Sequence, residues 1–199
     1  MLRTKEAIIP YLLLVAAIAG GLLWYESARV PGLGQVVVTG KADVGGPFHL
    51  IDQTGNSVSD ANYRGRYMLI YFGYTFCPDV CPTTLGVMAE ALDKLGTYGR
   101  RIVPLFITVD PARDTPKVMG QYVKAFGPQF IGLTGKPQQI AAAEKEYRVY
   151  AAKQPLPGGG YAMSHSSVIY LMGPDGKLVT FYDEAISPAD LAKDLRRKI

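Results

Sequence analysis

Two cysteines and two histidines supply all the thiol and imidazole chemistry of this 199-residue chain. The cysteines lie close together, in Cys77-Pro78-Asp79-Val80-Cys81. A disulfide scaffold needs several long-range pairs, which two neighbouring thiols cannot supply. The pair is therefore local: a redox couple, a metal clamp, or both. The common Cys-X-X-Cys redox motif has one residue fewer between its thiols. The wider loop still permits a disulfide, and it also lets two sulfurs meet on one ion. Thiolates select soft metals, Cu(I) above all, with zinc as the competitor. A structural zinc site usually takes four protein ligands, and a closed site is hard to complete when one nitrogen is on offer. A sparse S,S,N set suits copper, which accepts low coordination.

That nitrogen is expected from His165, in Tyr161-Ala162-Met163-Ser164-His165-Ser166-Ser167-Val168. It follows the Pro157-Gly158-Gly159-Gly160 run, read as a mobile hinge on which an imidazole could swing in at the start of a hairpin strand. A histidine at a strand start is often only hydrogen-bonded; the two cysteines give this one its weight. His49 falls in a peripheral strand and is left out. Met163 is a weak thioether donor, but a lone methionine is more often packing. Asp79 reads as a turn residue. Asp110, Arg113 and Asp114 follow an apolar strand and read either as a cap with its ion pair or as a rim where a partner docks.

The cysteine loop needs a frame. Tyr67 to Phe72 is a continuous apolar run of strand length, as a strand covered on both faces should be. After the loop, Thr83 to Leu95 places Leu85, Met88, Ala89, Leu92 and Leu95 on one helical face. Cys81 then lies at a helix N-terminus, whose dipole favours a thiolate. Ile102 to Val109 is a second buried strand. Thr115-Pro116 opens a helix to about Phe126, with threonine as cap and proline in the first turn. Phe130 to Leu133 is a short strand, Pro137 to Glu146 a helix, and Tyr147 to Ala151 an extended piece. Val168 to Met172, Pro174-Asp175-Gly176 and Leu178 to Phe181 make a hairpin, and Ser187-Pro188 caps the last helix. Alternating strands and helices that end in an antiparallel hairpin require a partly parallel sheet with helices on its faces. The order is α/β and thioredoxin-like: a mixed central sheet with an extra N-terminal strand or hairpin, seen in Phe48 to Asn56. In such a sheet the loop before the first hairpin strand lies beside the cysteine loop, which is what brings His165 into consideration.

Ahead of this domain, Ala7 to Tyr25 carries no charge. At about 1.5 Å per residue it nearly spans a bilayer core of about 30 Å. Arg3 and Lys5 precede it and Trp24-Tyr25 fall at the interface, so the short N-terminus is expected in the cytoplasm. A cleaved signal peptide is the alternative, but Tyr25-Glu26-Ser27-Ala28 is a poor cleavage site. The expected organisation is a transmembrane anchor over 1–27, a Gly/Pro-rich tether with an edge strand at Val36 to Val38 over 28–46, and the thioredoxin-like copper-binding domain over 47–199. A net charge of +4 without a basic, aromatic-interleaved stripe excludes nucleic-acid binding as an expectation.

The stretches LIDQTG, YFGYTFCPDVCPTTL, FITVDPARDTP, IGLTG and MSHSS with YLMGPDG, in this order behind an apolar N-terminus, resemble the Sco/SenC family of copper proteins that serve cytochrome c oxidase assembly. The resemblance implies Cys77, Cys81 and His165 as copper ligands, a mobile histidine loop, and Cu(I) with Cu(II) as a second valence. It implies delivery of copper to the binuclear site of cytochrome c oxidase subunit II, from an unidentified copper donor. No Arg- and Ser-rich amphipathic transit segment precedes the span, so a bacterial inner-membrane protein with one span and its domain in the periplasm is expected, with a mitochondrial inner-membrane one as the alternative; a monomer is expected. The alternative function is a thiol-disulfide reductase, with Cys77 and Cys81 as the redox pair preparing that subunit's cysteines. A thiol peroxidase built on Thr75 and Cys77 is disfavoured, because Tyr71 in a strand occupies the position where those enzymes carry a proline. Paired thiols also argue against a purely structural module.

Overall fold

The structure, a computed structural model, describes Gly20 and residues 44–199. The expected membrane span and the Val36 to Val38 strand lie outside these residues, Gly20 apart. Among the described residues no helix is long and apolar enough to cross a membrane. The chain divides into units 1–42 and 43–199, and the second holds the sheet, its covering helices and both cysteines.

Seven strands form one mixed sheet: β1 (His49–Asp52), β2 (Ser57–Ser59), β3 (Tyr67–Gly73), β4 (Ile102–Thr108), β5 (Ile131–Thr134), β8 (Val168–Met172) and β9 (Leu178–Asp183). Their order is β2-β1-β5-β4-β3-β8-β9. Strands β3, β4 and β5 run parallel, and β8 and β1 flank them antiparallel. This is the mixed thioredoxin-like sheet, with the β1–β2 hairpin as its N-terminal addition. Every residue of β4 is buried, as are six of the seven of β3, which is why both read as unbroken apolar runs. Pro104 is tolerated in β4 because it precedes Leu105–Ile107, the stretch paired with β5.

Helix α1 (Val80–Leu95) starts three residues before the expected Thr83, so both Cys81 and Pro82 are helical. Its buried side chains, Cys81, Thr84, Leu85, Met88, Ala91, Leu92 and Leu95, recur every three or four residues and pack on the sheet. Ala91 is fully buried, and the expected Ala89 packs half-buried against the same core. Helices α2 (Pro116–Val123), α3 (Pro137–Glu146) and α4 (Pro188–Lys198) each place proline in the first turn. The Thr115 hydroxyl accepts from the Val118 N–H and the Ser187 hydroxyl from the Asp190 N–H. Helix α2 stops at Val123 and continues to Phe126 as a tighter turn.

One region departs from expectation. Residues Ala151–Pro155 (β6) and Tyr161–His165 (β7) pair as a separate two-stranded sheet. The glycine run is the turn at its tip, with Gly158, Gly159 and Gly160 all at positive φ. His165 lies at the opposite end of β7, paired with Ala151. The glycines therefore are not a hinge next to the histidine; the strand residues Tyr161 to Ser164 separate them from it.

Candidate metal centre

Strand β3 ends at Gly73, whose carbonyl accepts from Val109 N–H at 2.8 Å. A glycine is required there: a Cβ would stand 2.8 Å from Cys81 Sγ and equally close to the Phe106 ring. The chain then turns through Tyr74 to Asp79 into α1, and Asp79 takes the N-cap position without a side-chain capping bond. Asp114, fully buried, anchors this turn. Its carboxylate accepts from Thr75 N–H (3.0 Å), Thr75 O–H (2.6 Å) and Thr108 O–H (2.6 Å). Burial pushes the Asp114 carboxyl up, and these bonds hold it down in part.

Cys77, half-buried, and Cys81, at 0 % exposure, present both sulfurs on the loop and first turn. The Cys81 backbone N–H donates to Cys77 Sγ at 3.4 Å, giving one of the helix's unpaired amides a partner. Cys81 Sγ lies 3.4 Å from His165 Nε2. The donor atoms of Cys77, Cys81 and His165 all fall within 4.8 Å of one another. His49 is exposed on β1, with β5 and β4 between it and β3, and Met163 packs against the core.

The imidazole is oriented for coordination. Its Nδ1 is 3.0 Å from the carbonyl oxygen of Ser166. A carbonyl only accepts, so Nδ1 carries the proton and Nε2 turns its lone pair toward Cys81. Burial holds the His165 pKa below its ordinary value, keeping the ring neutral. The rings of Tyr71 and Tyr74 meet it edge-on, at centroid distances of 6.2 Å and 5.8 Å. The Tyr71 hydroxyl reaches toward Cys81 Sγ at 4.0 Å.

The protonation of Cys81 differs from the sequence expectation. A helix N-terminus favours a thiolate, but burial pushes the Cys81 thiol well above its ordinary range. The sulfur that receives the helix amide is that of Cys77. Without metal, Cys81 S–H faces the bare nitrogen of His165. Two thiols and a neutral imidazole with a fixed tautomer make a donor set for a soft, low-coordinate ion. Sequence reasoning missed the Ser166 carbonyl, which is backbone and leaves no side-chain signal, and the part played by Tyr71, which reads as one more core residue.

Residues 37–199 match the family described as SCO1/SenC. The mitochondrial SCO1 homolog 1 of Arabidopsis thaliana is 46 % identical over 144 residues, covering 72 % of this chain and 43 % of that protein. The chain thus spans less than half the length of that curated relative. The copper-bound structure of ScoI from Bradyrhizobium japonicum is 45 % identical, with a TM-score of 0.73, covering 78 % of this chain and 99 % of that one. BsSco, a member of the Sco family of cytochrome c oxidase assembly proteins in which a disulfide switch was identified, is 25 % identical, with a TM-score of 0.63 over 78 % of this chain and 94 % of that one.

Proposed function

The chain belongs to the SCO1/SenC family, and from that premise we propose that it is a copper metallochaperone. Cys77, Cys81 and His165 hold the ion, and the chain delivers it to the binuclear copper site of cytochrome c oxidase subunit II. The observation that carries this reading is the convergence of two sulfurs and one oriented ring nitrogen within 4.8 Å. Residues 7–25 anchor the chain in a bacterial inner membrane, with the domain over 47–199 held in the periplasm as a monomer.

The site suits transfer as well as binding. Cys77 is the more accessible sulfur and Cys81 the buried one, so an incoming thiolate meets the ion from the Cys77 side. His165 and Cys81 keep hold of it meanwhile. Stepwise ligand exchange of this kind needs a site with few ligands.

Because Cys81 is protonated in the metal-free protein, copper must displace that proton. Cu(I) binding is therefore expected to release at least the Cys81 proton, and affinity should climb with pH as long as that thiol stays protonated in the metal-free chain. Calorimetric titration in buffers of different ionisation enthalpy reads the number directly; a buffer-independent heat would contradict it.

A second reading, a thiol-disulfide reductase acting on the cysteines of the same subunit, is favoured by the same pair of thiols and by the disulfide switch of BsSco. Cys77, the accessible sulfur, would attack a partner disulfide as the thiolate, forming a mixed disulfide and expelling the partner's other sulfur as a thiolate, and Cys81 would then give up its proton and resolve it. His165→Ala separates the two activities. Cu(I) affinity is expected to fall by about tenfold or more, since outer-shell changes alone reach that size, while the rate of reducing a model disulfide stays within about twofold. Loss of both activities together would leave the imidazole serving the thiols rather than a metal.

A further inference from the structure

The hairpin that carries His165 has a weakness. Strands β6 and β7 pair only with each other and join no strand of the main sheet. An isolated two-stranded hairpin is marginal in water. Its position over the cysteine loop therefore depends on what fastens it there. At the base, Ser166 N–H donates to the Tyr150 carbonyl at 3.0 Å, and Tyr150 N–H to the Ser166 hydroxyl at 3.0 Å. These bonds link the two strands to each other and not to the cysteine loop; toward the domain, Met163 packs on the core and the Tyr71 and Tyr74 rings meet His165.

A polar fastener comes from the loop after β4. Arg113 Nη1 donates to the Tyr161 carbonyl at 3.0 Å, and its guanidinium lies 3.9 Å over the Tyr161 ring. The Tyr161 hydroxyl donates to Asp110 Oδ1 at 2.9 Å, and Asp110, 1 % exposed, is ion-paired with Arg113. The same guanidinium stands 4.7 Å over the ring of Phe76, the residue before Cys77. Its Nη2 is buried with no hydrogen-bond partner among the described residues, the position of an edge held by ring faces. One side chain thus touches both the strand that bears the imidazole and the loop that bears the thiols.

We propose that Arg113 is a positioning residue for copper: it clamps the β6–β7 hairpin, through Tyr161, onto the cysteine loop and so sets the approach of His165 to Cys77 and Cys81. Arg113 touches no donor atom and acts by holding the hairpin against the loop. Only a planar fork can stack on the ring and donate to the carbonyl at once, so lysine does not replace it.

The inference rests on the copper reading above, and the test keeps the two apart. Arg113→Lys retains a cation beside Asp110 while removing the fork. Cu(I) affinity is measured by competition in the wild type, Arg113→Lys, His165→Ala and the double variant. Arg113→Lys is expected to weaken binding by about tenfold, the scale of lost support behind a metal ligand. In the His165→Ala background it should change affinity by less than about twofold, because the residue acts through the missing ring. Equal losses in both backgrounds, or none in either, would overturn the proposal. In the metal-free protein, amide exchange along β7 should quicken about tenfold in Arg113→Lys while β3 and β4 stay protected; unchanged exchange in β7 would also overturn it. Tyr161→Phe removes the bond to Asp110 but keeps the ring, and should show a smaller loss with the same dependence on His165; it decides the matter if Arg113→Lys does not fold. A wild type that binds no copper would defeat the chaperone reading, with the exchange measurement still judging the clamp.

Discussion

Cys81→Ser is expected to lower the affinity of the chain for Cu(I) by more than about a hundredfold, beyond the roughly 10- to 100-fold cost of outer-shell changes. Cys81 is the central member of the group. Its sulfur lies 3.4 Å from His165 Nε2, and its backbone N–H donates to Cys77 Sγ. Serine keeps the backbone bond and the approximate volume. It replaces a soft sulfur with a hard oxygen that Cu(I) avoids, at a position closed to solvent. Cys77→Ser should cost less, because the half-buried Cys77 position is one that an external thiol can reach. Competition with a Cu(I)-specific chelator orders the two variants. Equal affinities for Cys81→Ser and wild type would remove Cys81 from the site.

The largest effect on stability is expected from Asp114→Ala. The carboxylate is completely buried and accepts three hydrogen bonds, two from Thr75 and one from Thr108. Removing it leaves the buried Thr108 hydroxyl and the two half-buried donors of Thr75 without their acceptor, and a small void. Hydrogen bonds to charged groups contribute about 1.5–3 kcal/mol each, and a buried donor left unpaired costs about 1–3 kcal/mol. Since such contributions are not additive, a loss of about 3–5 kcal/mol is expected. For a domain of this size that corresponds to a Tm lower by on the order of 10 °C in a thermal melt. Thr75 lies two residues before Cys77, so the cysteine loop loosens with it, and copper affinity should fall in parallel. A Tm within about 2 °C of wild type would mean that the loop is held by other contacts.

The main sheet is legible in the sequence where burial writes itself into residue type. Tyr67 to Phe72 and Ile102 to Ile107 are apolar without interruption because each strand has packed elements on both faces. Thr115-Pro116 and Ser187-Pro188 announce their helices because a capping hydroxyl and a proline that needs no N–H serve the same turn. Strands β6 and β7 announce nothing. AAKQP and YAMSH are half-exposed, with short or polar side chains, and carry little of the alternation that marks a strand. They meet through a glycine turn and a ladder of their own, and Arg113 reaches Tyr161 from another element, a tertiary fact. Sequence alone accordingly makes the glycines a hinge beside His165, whereas in the fold they form the far tip of the hairpin.

The site shows the same division. Two cysteines at this spacing, between a strong strand and a strong helix, mark the loop from sequence alone. That His165 meets them depends on the fold, and the structure brings the three donors together. The state of Cys81 is not legible, because its position in the helix and its burial act in opposite directions. Helix polarity is visible in a sequence. The contact of Cys81 with Gly73 beneath it, and its closure from solvent, are not. Asp114 likewise reads as an ordinary cap, since nothing in VDPARDTP says which of its acids anchors the cysteine loop.

X-ray absorption at the copper edge of the Cu(I)-loaded chain tests the central claim most directly. Two sulfur scatterers and one imidazole nitrogen around the ion are predicted, with the nitrogen contribution lost in His165→Ala and the sulfur count halved in Cys81→Ser. A shell of light atoms alone, or one unchanged by either substitution, would contradict it.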